Sequence, residues 1–336
     1  MDVFTHAVAS LAVARAALPR APRTAWAATI VAGTIADLDG LSAISGPSAY
    51  LTFHRTYAHS LAASLVVAAL LGVVCRLLSR GPAQSRVVPL ALFATLLLAA
   101  WLHLAMDACQ SEGVTLFWPF RERRVAADWL ANVDPWIIAV LIAAILLPEL
   151  LRLVSDEIGA KDKSPRGRLG AIIGFVLVIL YVGVRATLHS NVLAEMQART
   201  YRSESPRRAA AFPESASLFA WHGIVETDSA LHELTVNAAP GAFFDPESSI
   251  TLFKPESSPI LDRARDSDAA KRFLGVARFP KATVEKTSTG FEVQLRDLRY
   301  AATGESRREI AVIIKLDSSN KVVYDALVWA RDLHRR

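Results

Sequence analysis

Cysteine is nearly absent from this chain of 336 residues. Cys75 and Cys109 are its only two, which excludes a disulfide framework and a paired-cysteine metal knuckle. The start lacks the positive n-region of a cleavable signal peptide, because MDVFTH opens an apolar stretch that ends in arginines. Charge is scarce where hydropathy is high. Only 21% of residues are charged, and through the first 190 most of the Lys and Arg sit in short loops between apolar runs. The net charge of +5 therefore reads as membrane topology, and no nucleic-acid partner is expected.

Apolar character is abundant instead, at 52% hydrophobic residues, and it is concentrated before residue 190. Residues 58–78, 87–107, 134–154 and 168–188 each supply about 21 predominantly apolar positions, enough to cross a hydrocarbon core roughly 30 Å thick. Two weaker Ala-rich segments, 4–18 and 24–39, are joined by LPRAPR and are either full spans or a re-entrant pair. The expected fold is a mainly α membrane protein, a helical transmembrane bundle of about six segments, four strong and two weak, followed by an extracytoplasmic α+β domain. The predicted units are a membrane domain over 1–190, a linker over 191–217 containing SESPRRAAAFPESAS, and a soluble domain over 218–336. In that last unit FAWHGIVE, ALHELTVN, GFEVQLRDLRY, REIAVIIKLD and KVVYDALVWA read as β-rich, and SPILDRARDSDAAKRFLGVA reads as one helix.

Orientation follows from Lys and Arg. If both weak segments span, one face receives Arg20, Arg23, Arg76, Arg80, Arg86, Arg152, Lys161, Lys163, Arg166 and Arg168. The other receives Arg55, Arg121, Arg123 and Arg124. The first face is cytoplasmic by the positive-inside rule. The outer face then holds the HRTYAHS loop, the loop over 108–133 and everything after residue 189.

The ionisable residues near the apolar segments all fall on that outer face: His6, Asp37, Asp39, His54, His59, His103, Asp107, Asp134 and His189. Residues of this kind at membrane depth are functional candidates. His103 and Asp107 are i and i+4 on one helix, so both project from one face and can share an ion. Asp37 and Asp39 would point to different sides of a continuous helix, but Gly40 is a natural residue to end it and leave the pair in a turn. Thr56 reads as an N-cap, which puts His54 in the loop and His59 in a first turn whose dipole disfavours protonation. A mixed set of His6, Asp37, Asp39, His54, His59, His103 and Asp107 suits a divalent metal such as Zn²⁺. Blander roles compete: His189 as a structural histidine, His54 as a solvated one, and Asp134 before Pro135 as a helix cap. The aromatic residues Phe117, Trp118, Phe120, Trp129 and Trp136 read as an interfacial belt, and His222 and His232 as structural.

The motifs DVFTHA, ADLDGL, HRTYAHS and HLAMDACQSEGVTLFWPF, followed by ANVDPW, resemble the YdjM-like family of bacterial inner-membrane proteins, described as metal-dependent hydrolases. The resemblance covers most of residues 1–150. It implies a helical domain in the bacterial cytoplasmic membrane and a metal-dependent hydrolytic activity. A fainter similarity, in the ligand order His6, Asp37 or Asp39, His59, then His103 with Asp107, is to zinc-dependent phospholipase C and P1-type nucleases, but the second, downstream HxxxD of that pattern is missing. The expected mechanism is metal-assisted hydrolysis. One or two ions acidify water and polarise the scissile bond, a spare carboxylate (Asp39 or Asp134) acts as general base, and Arg55 stabilises the transition-state anion. A site at headgroup level favours a phosphoester or lipid-linked substrate among membrane lipids. Two alternatives are a non-catalytic metal-binding sensor or transport component, and a membrane anchor for a partner-binding C-terminal domain.

Overall fold

A computed structural model describes residues 1–78, 88–157, 167–242, 244–302 and 309–335. The expected cytoplasmic residues Arg80, Arg86, Lys161, Lys163 and Arg166 lie outside them. The chain divides into two compact units, one of residues 1–41 and 53–186, the other of residues 42–52 and 187–336.

The first unit is helical. Asp2 caps α1 (Val3–Ala17), its Oδ1 accepting from the Thr5 amide at 3.0 Å. A second helix, α2 (Arg23–Ala32), gives way at Gly33 to a 3-10 helix over Ile35–Ser45, bent 47° from it. A short α3 (Pro47–Phe53) follows. Four long apolar helices complete the set: α4 (Leu61–Leu78), α5 (Pro89–Ala108), α6 (Pro135–Glu157) and α7 (Arg168–Gln197).

Among the described residues these four are long and apolar enough to cross a membrane, and the bent pair of α2 and the 3-10 helix would make a fifth. Helix α1 has 15 residues, about 22 Å of rise, which falls short of the hydrocarbon thickness. Four spans are therefore supported, and the expected six are not reached by length. Leu65, Val66, Leu70, Leu77 and Leu78 on α4 and Leu150, Leu151 and Leu153 on α6 are exposed, as lipid-facing surfaces require. The packed side of the bundle is made by α1, α2, α4 and α5 around Val13, Ala25, Ala68, Leu92 and Leu96, and by α1, α5, α6 and α7 around Ala9, Ala12, Met106, Ile137 and Leu141. Neither cysteine forms a disulfide among the described residues.

The second unit is built on two four-stranded antiparallel sheets. One has the order β1 (Arg208–Pro213), β2 (Ala220–Glu226), β3 (Ala230–Asn237), β4 (Ile250–Phe253). The other runs β5 (Pro280–Thr287), β6 (Gly290–Asp297), β7 (Ile310–Asp317), β8 (Val322–Trp329). Strand β7 is covered on both faces: Val312, Ile314 and Leu316 join one core, Ala311 and Ile313 another, as the period of two dictates. The segment 258–277, expected as a single helix, is two: α8 (Pro259–Arg265) and α9 (Asp268–Leu274). Ser258 caps the first through the Leu261 amide and Ser267 caps the second through the Ala270 amide, so the internal serine restarts the helix. The expected linker 191–217 holds the last turns of α7 and strand β1. A short helix, α10 (Leu298–Ala302), follows β6.

Residues 42–52 belong to this second unit, although Asp39 and His54 on either side of them belong to the first. Tyr50 is buried with Leu261, Phe273, Val293 and Ile314 in the core of the β7 sheet.

Candidate metal centre

Helix α5 supplies His103 and Asp107, one turn apart and both buried. Helix α1 presents His6 to the same place, with its Nε2 3.1 Å from Asp107 Oδ1. The 3-10 helix runs straight through Gly40 to Ser45, so Gly40 does not end a helix as the sequence suggests, and Asp37 and Asp39 lie on an ordered element. Their two-residue spacing still sends them in different directions. Asp37 Oδ1 lies 3.7 Å from His59 Nε2 and 3.9 Å from His103 Nε2. Asp39 turns outward and receives His54 Nδ1 at 2.9 Å, His59 Nδ1 at 2.8 Å and the Arg55 amide at 2.9 Å.

That carboxylate gathers three residues of the HRTYAHS loop. Arg55 adopts φ 58°, a left-handed conformation uncommon for a residue with a side chain. Its amide is fixed by Asp39 and its carbonyl by the Thr115 amide at 3.2 Å. Ser60, not Thr56, accepts from the third amide of α4, that of Ala63, at 3.1 Å. His59 therefore precedes the helix and does not sit in its first turn. Its protonation is also the reverse of the dipole-based expectation. Burial disfavours the charged imidazole, but Asp107, Asp37 and Asp39 outweigh burial and push its pKa up to about 10. His54 is likewise raised, burial being overcome by Asp39 and Glu112.

Asp107 is divided between its two oxygens. Oδ1 accepts from the Met1 ammonium and lies 3.4 Å from Arg55 Nη2. Oδ2 faces His59 Nε2 at 3.3 Å and His103 Nε2 at 3.7 Å. These four donors, His59 Nε2, His103 Nε2, Asp107 Oδ2 and an Asp37 carboxylate oxygen, can be tested against zinc. Tetrahedral bonds of about 2.0–2.1 Å place donor atoms about 3.3–3.4 Å apart. Four of the six edges, 3.3, 3.7, 3.7 and 3.9 Å, lie within a few tenths of an ångström of that spacing. His59 Nε2, His103 Nε2, Asp107 Oδ2 and Asp37 Oδ2 are buried without a hydrogen-bond partner, an arrangement that costs free energy unless something polar or charged joins them. The residues fit a metal ion.

A second grouping, His6 with Asp37, His103 and Asp107, brings one donor atom of each within 4.8 Å of the rest. The two sets share three members. His59 is the better fourth because its Nδ1 is anchored on Asp39, leaving Nε2 as the ligand atom, whereas His6 Nε2 is engaged at the crowded Oδ1 edge. His103 is oriented in the same way, Nδ1 donating to the Gly33 carbonyl at 2.9 Å. Gly33 is required there, since a Cβ would stand 1.9 Å from Ser10 Oγ.

Seven of the expected residues thus converge, with His54 and Asp39 in an outer layer. Asp134 does not join them. It caps α6, Oδ1 accepting from the Trp136 and Ile137 amides at 3.1 and 3.3 Å, while Oδ2 accepts from Tyr181 at 2.9 Å. His189 packs on Trp221 in the second unit, ring centres 5.5 Å apart. Three further residues take part. Glu112 lies 3.6 Å from His54 Nε2 and 3.3 Å from Arg55 Nε. Gln110 accepts from Arg55 Nη2 at 2.8 Å. Arg124 donates to the His54 carbonyl at 2.9 Å, so at least one of the three outer-loop arginines braces the site. Gln110 and Glu112 stand three and five residues after Asp107, and their place within the same motif was the available signal.

Residues 1–192 match the family model described as YdjM inner membrane protein. The chain is 21% identical over 342 residues to the uncharacterized protein YfhP of Bacillus subtilis (strain 168), an alignment spanning 99% of this chain and 97% of that protein. No solved structure matches.

Proposed function

Because the chain belongs to the YdjM inner membrane protein family, we propose that it is a membrane-bound metal-dependent hydrolase whose ion is held by Asp37, His59, His103 and Asp107, with His6 as a fifth donor. The observation that carries this reading is the convergence of three buried atoms without hydrogen-bond partners, His59 Nε2, His103 Nε2 and Asp107 Oδ2, with Asp37 Oδ1 3.7 and 3.9 Å from the two imidazole nitrogens. A divalent ion, zinc by the donor set, supplies Lewis acidity and an acidified water when bound. Asp39 and the Gly33 carbonyl hold the two imidazoles in the tautomer that offers Nε2. With Asp134 spent on capping and Asp39 on orienting histidines, the proton-accepting role falls to Glu112, paired with His54 and Arg55. Arg55, whose guanidinium lies against Asp107, is the group to meet negative charge on a phosphoester.

The purified chain should carry about one equivalent of zinc per protein, and its hydrolysis of bis(4-nitrophenyl) phosphate should stop on chelation and return with zinc. Metal that binds without chelator-sensitive turnover of this or any phospholipid would replace hydrolysis with metal sensing.

The Lys and Arg asymmetry supports an outer-face site in the bacterial cytoplasmic membrane, with the second unit outside the cell. In a cysteine-free background, an impermeant thiol reagent applied to intact cells should label Glu247→Cys and spare Lys163→Cys. Labelling of position 163 alone would put the site on the cytoplasmic side.

A further inference from the structure

His103 has a second setting besides the ion cluster. It forms one wall of a cavity of about 220 Å³ between α2, the 3-10 helix, α4 and α5, lined by residues that include Ala36, Ala63, Val67, Ala100 and Leu104. Five alanines in all face this space, and their short side chains are what leave it open. The only polar side chains in the lining are those of His103 and Ser64. Ser64 is committed, donating to the Leu61 carbonyl at 2.7 Å and accepting from Trp101 Nε1 at 3.0 Å. His103 Nδ1 is committed to Gly33, and its buried Nε2 is one of the four atoms lacking a partner. The cavity therefore offers nothing to a polar ligand along its length and a metal-ligating imidazole at its wall. An apolar cavity of about 150 Å³ admits benzene, so this one, of about 220 Å³ and lined mostly by apolar side chains, has room for hydrocarbon. Ala36, Ala63 and Val67 are only half-buried, so the space is reached from outside the bundle, along helices whose outer faces are exposed and apolar.

We propose that this cavity takes the alkyl chain of the molecule whose phosphoester headgroup reaches the ion, which makes the substrate class a chain-bearing amphiphile and not a soluble ester; the proposal rests on the hydrolase reading above. The headgroup would lie among His59, Arg55 and Glu112 while the chain runs past His103 between α4 and α5. Hydrocarbon burial would supply binding, at roughly 0.8 kcal/mol per methylene removed from water, and a short soluble ester would forgo it.

The test uses the full chain, loaded with zinc, in phosphatidylcholine nanodiscs. The probe is dodecyl phosphate carrying a diazirine at the chain terminus, compared with a dodecane diazirine that has no phosphate, and inorganic phosphate is bound separately. Photoadducts should map to 63–67 and 100–104. They should fall at least tenfold in Ala36→Leu and in Ala100→Leu, which fill the cavity from two different elements, with zinc content and inorganic phosphate affinity unchanged. Adducts spread over the exposed faces of α4, α6 and α7, or unaffected by either filling variant, would overturn the proposal. Equal labelling of the same residues by the probe without phosphate would also overturn it, by showing a bound bilayer tail in place of a substrate chain. Should either variant fail to fold, the wild-type adduct map alone decides. Failure of the hydrolase reading looks different: zinc fails to bind, or binds without chelator-sensitive turnover of bis(4-nitrophenyl) phosphate, whatever the map shows.

Discussion

Asp107→Asn should strip the site of its ion. The substitution keeps the side chain's shape and removes the one carboxylate that meets His6, His59, His103 and Arg55 together. Zinc retention should weaken on the order of a hundredfold or more, since even losses in the shell behind metal ligands cost 10–100-fold. A ligand that binds only the folded chain stabilises it by about 4 kcal/mol at a thousandfold excess over Kd, so added zinc should raise the melting temperature of the wild type and leave that of Asp107→Asn in place. A purely structural role predicts another pattern. If Asp107 serves only as counter-ion to Arg55, its loss leaves the buried guanidinium with Glu112 as its described counter-ion, a destabilisation below the about 3–5 kcal/mol of a fully broken buried pair, and zinc per protein stays at the wild-type level. Asp37→Asn separates the two, because its described ion-pair partners are imidazoles and no guanidinium is left behind. His189→Ala, on the ring that packs against Trp221, should leave metal content alone. Equal zinc in all of these folded proteins would remove the site.

How much of this arrangement the sequence makes legible depends on the length over which each signal is summed. Hydropathy integrates over about 20 residues, so α4, α5, α6 and α7 stand out from noise. The i, i+4 pair of His103 and Asp107 is equally readable because one helix fixes it. The 3-10 helix defeats the local reading. Gly40 looks like a helix terminator, yet the chain continues through it, and no residue in ADLDGL says that the tighter turn is used. Thr56 and Ser60 are both competent caps, and the choice falls to Ser60 because Asp39 draws His54, Arg55 and His59 into a loop first. That is a tertiary cause invisible to a cap rule. The same holds for residues 42–52, whose Tyr50 is taken into the core of the other unit: a single aromatic in a short helix has no periodicity to announce its partner. Asp134 was legible in both of its roles, and a helix beginning at Pro135 decides for the cap. Strand β1 was hidden because six residues within a stretch rich in Pro, Ser and Arg resemble a linker more than a strand.

Arg55 should separate ion binding from chemistry. Its guanidinium sits with Nε 3.3 Å from Glu112 and Nη2 2.8 Å from Gln110 and 3.4 Å from Asp107, 3% exposed, and its backbone is held left-handed by Asp39. An arginine placed so firmly beside a carboxylate cluster either braces the carboxylates or waits for an anion. The two roles respond differently to substitution. Removing one pre-positioned donor of developing charge costs about 10²–10³ in turnover, so Arg55→Ala should lower hydrolysis of bis(4-nitrophenyl) phosphate by that factor and weaken inhibition by inorganic phosphate. Zinc per protein should not fall, because subtracting a positive charge from beside Asp107 makes the pocket more favourable to a cation. Arg55→Lys restores the charge without the planar fork and should recover folding and only part of the rate. A brace behaves otherwise: Arg55→Ala would lose zinc and stability together, Arg55→Lys would recover both in full, and phosphate inhibition would be indifferent to either change. That second pattern would reassign Arg55 from chemistry to architecture and leave anion recognition to Arg124 or to the ion alone.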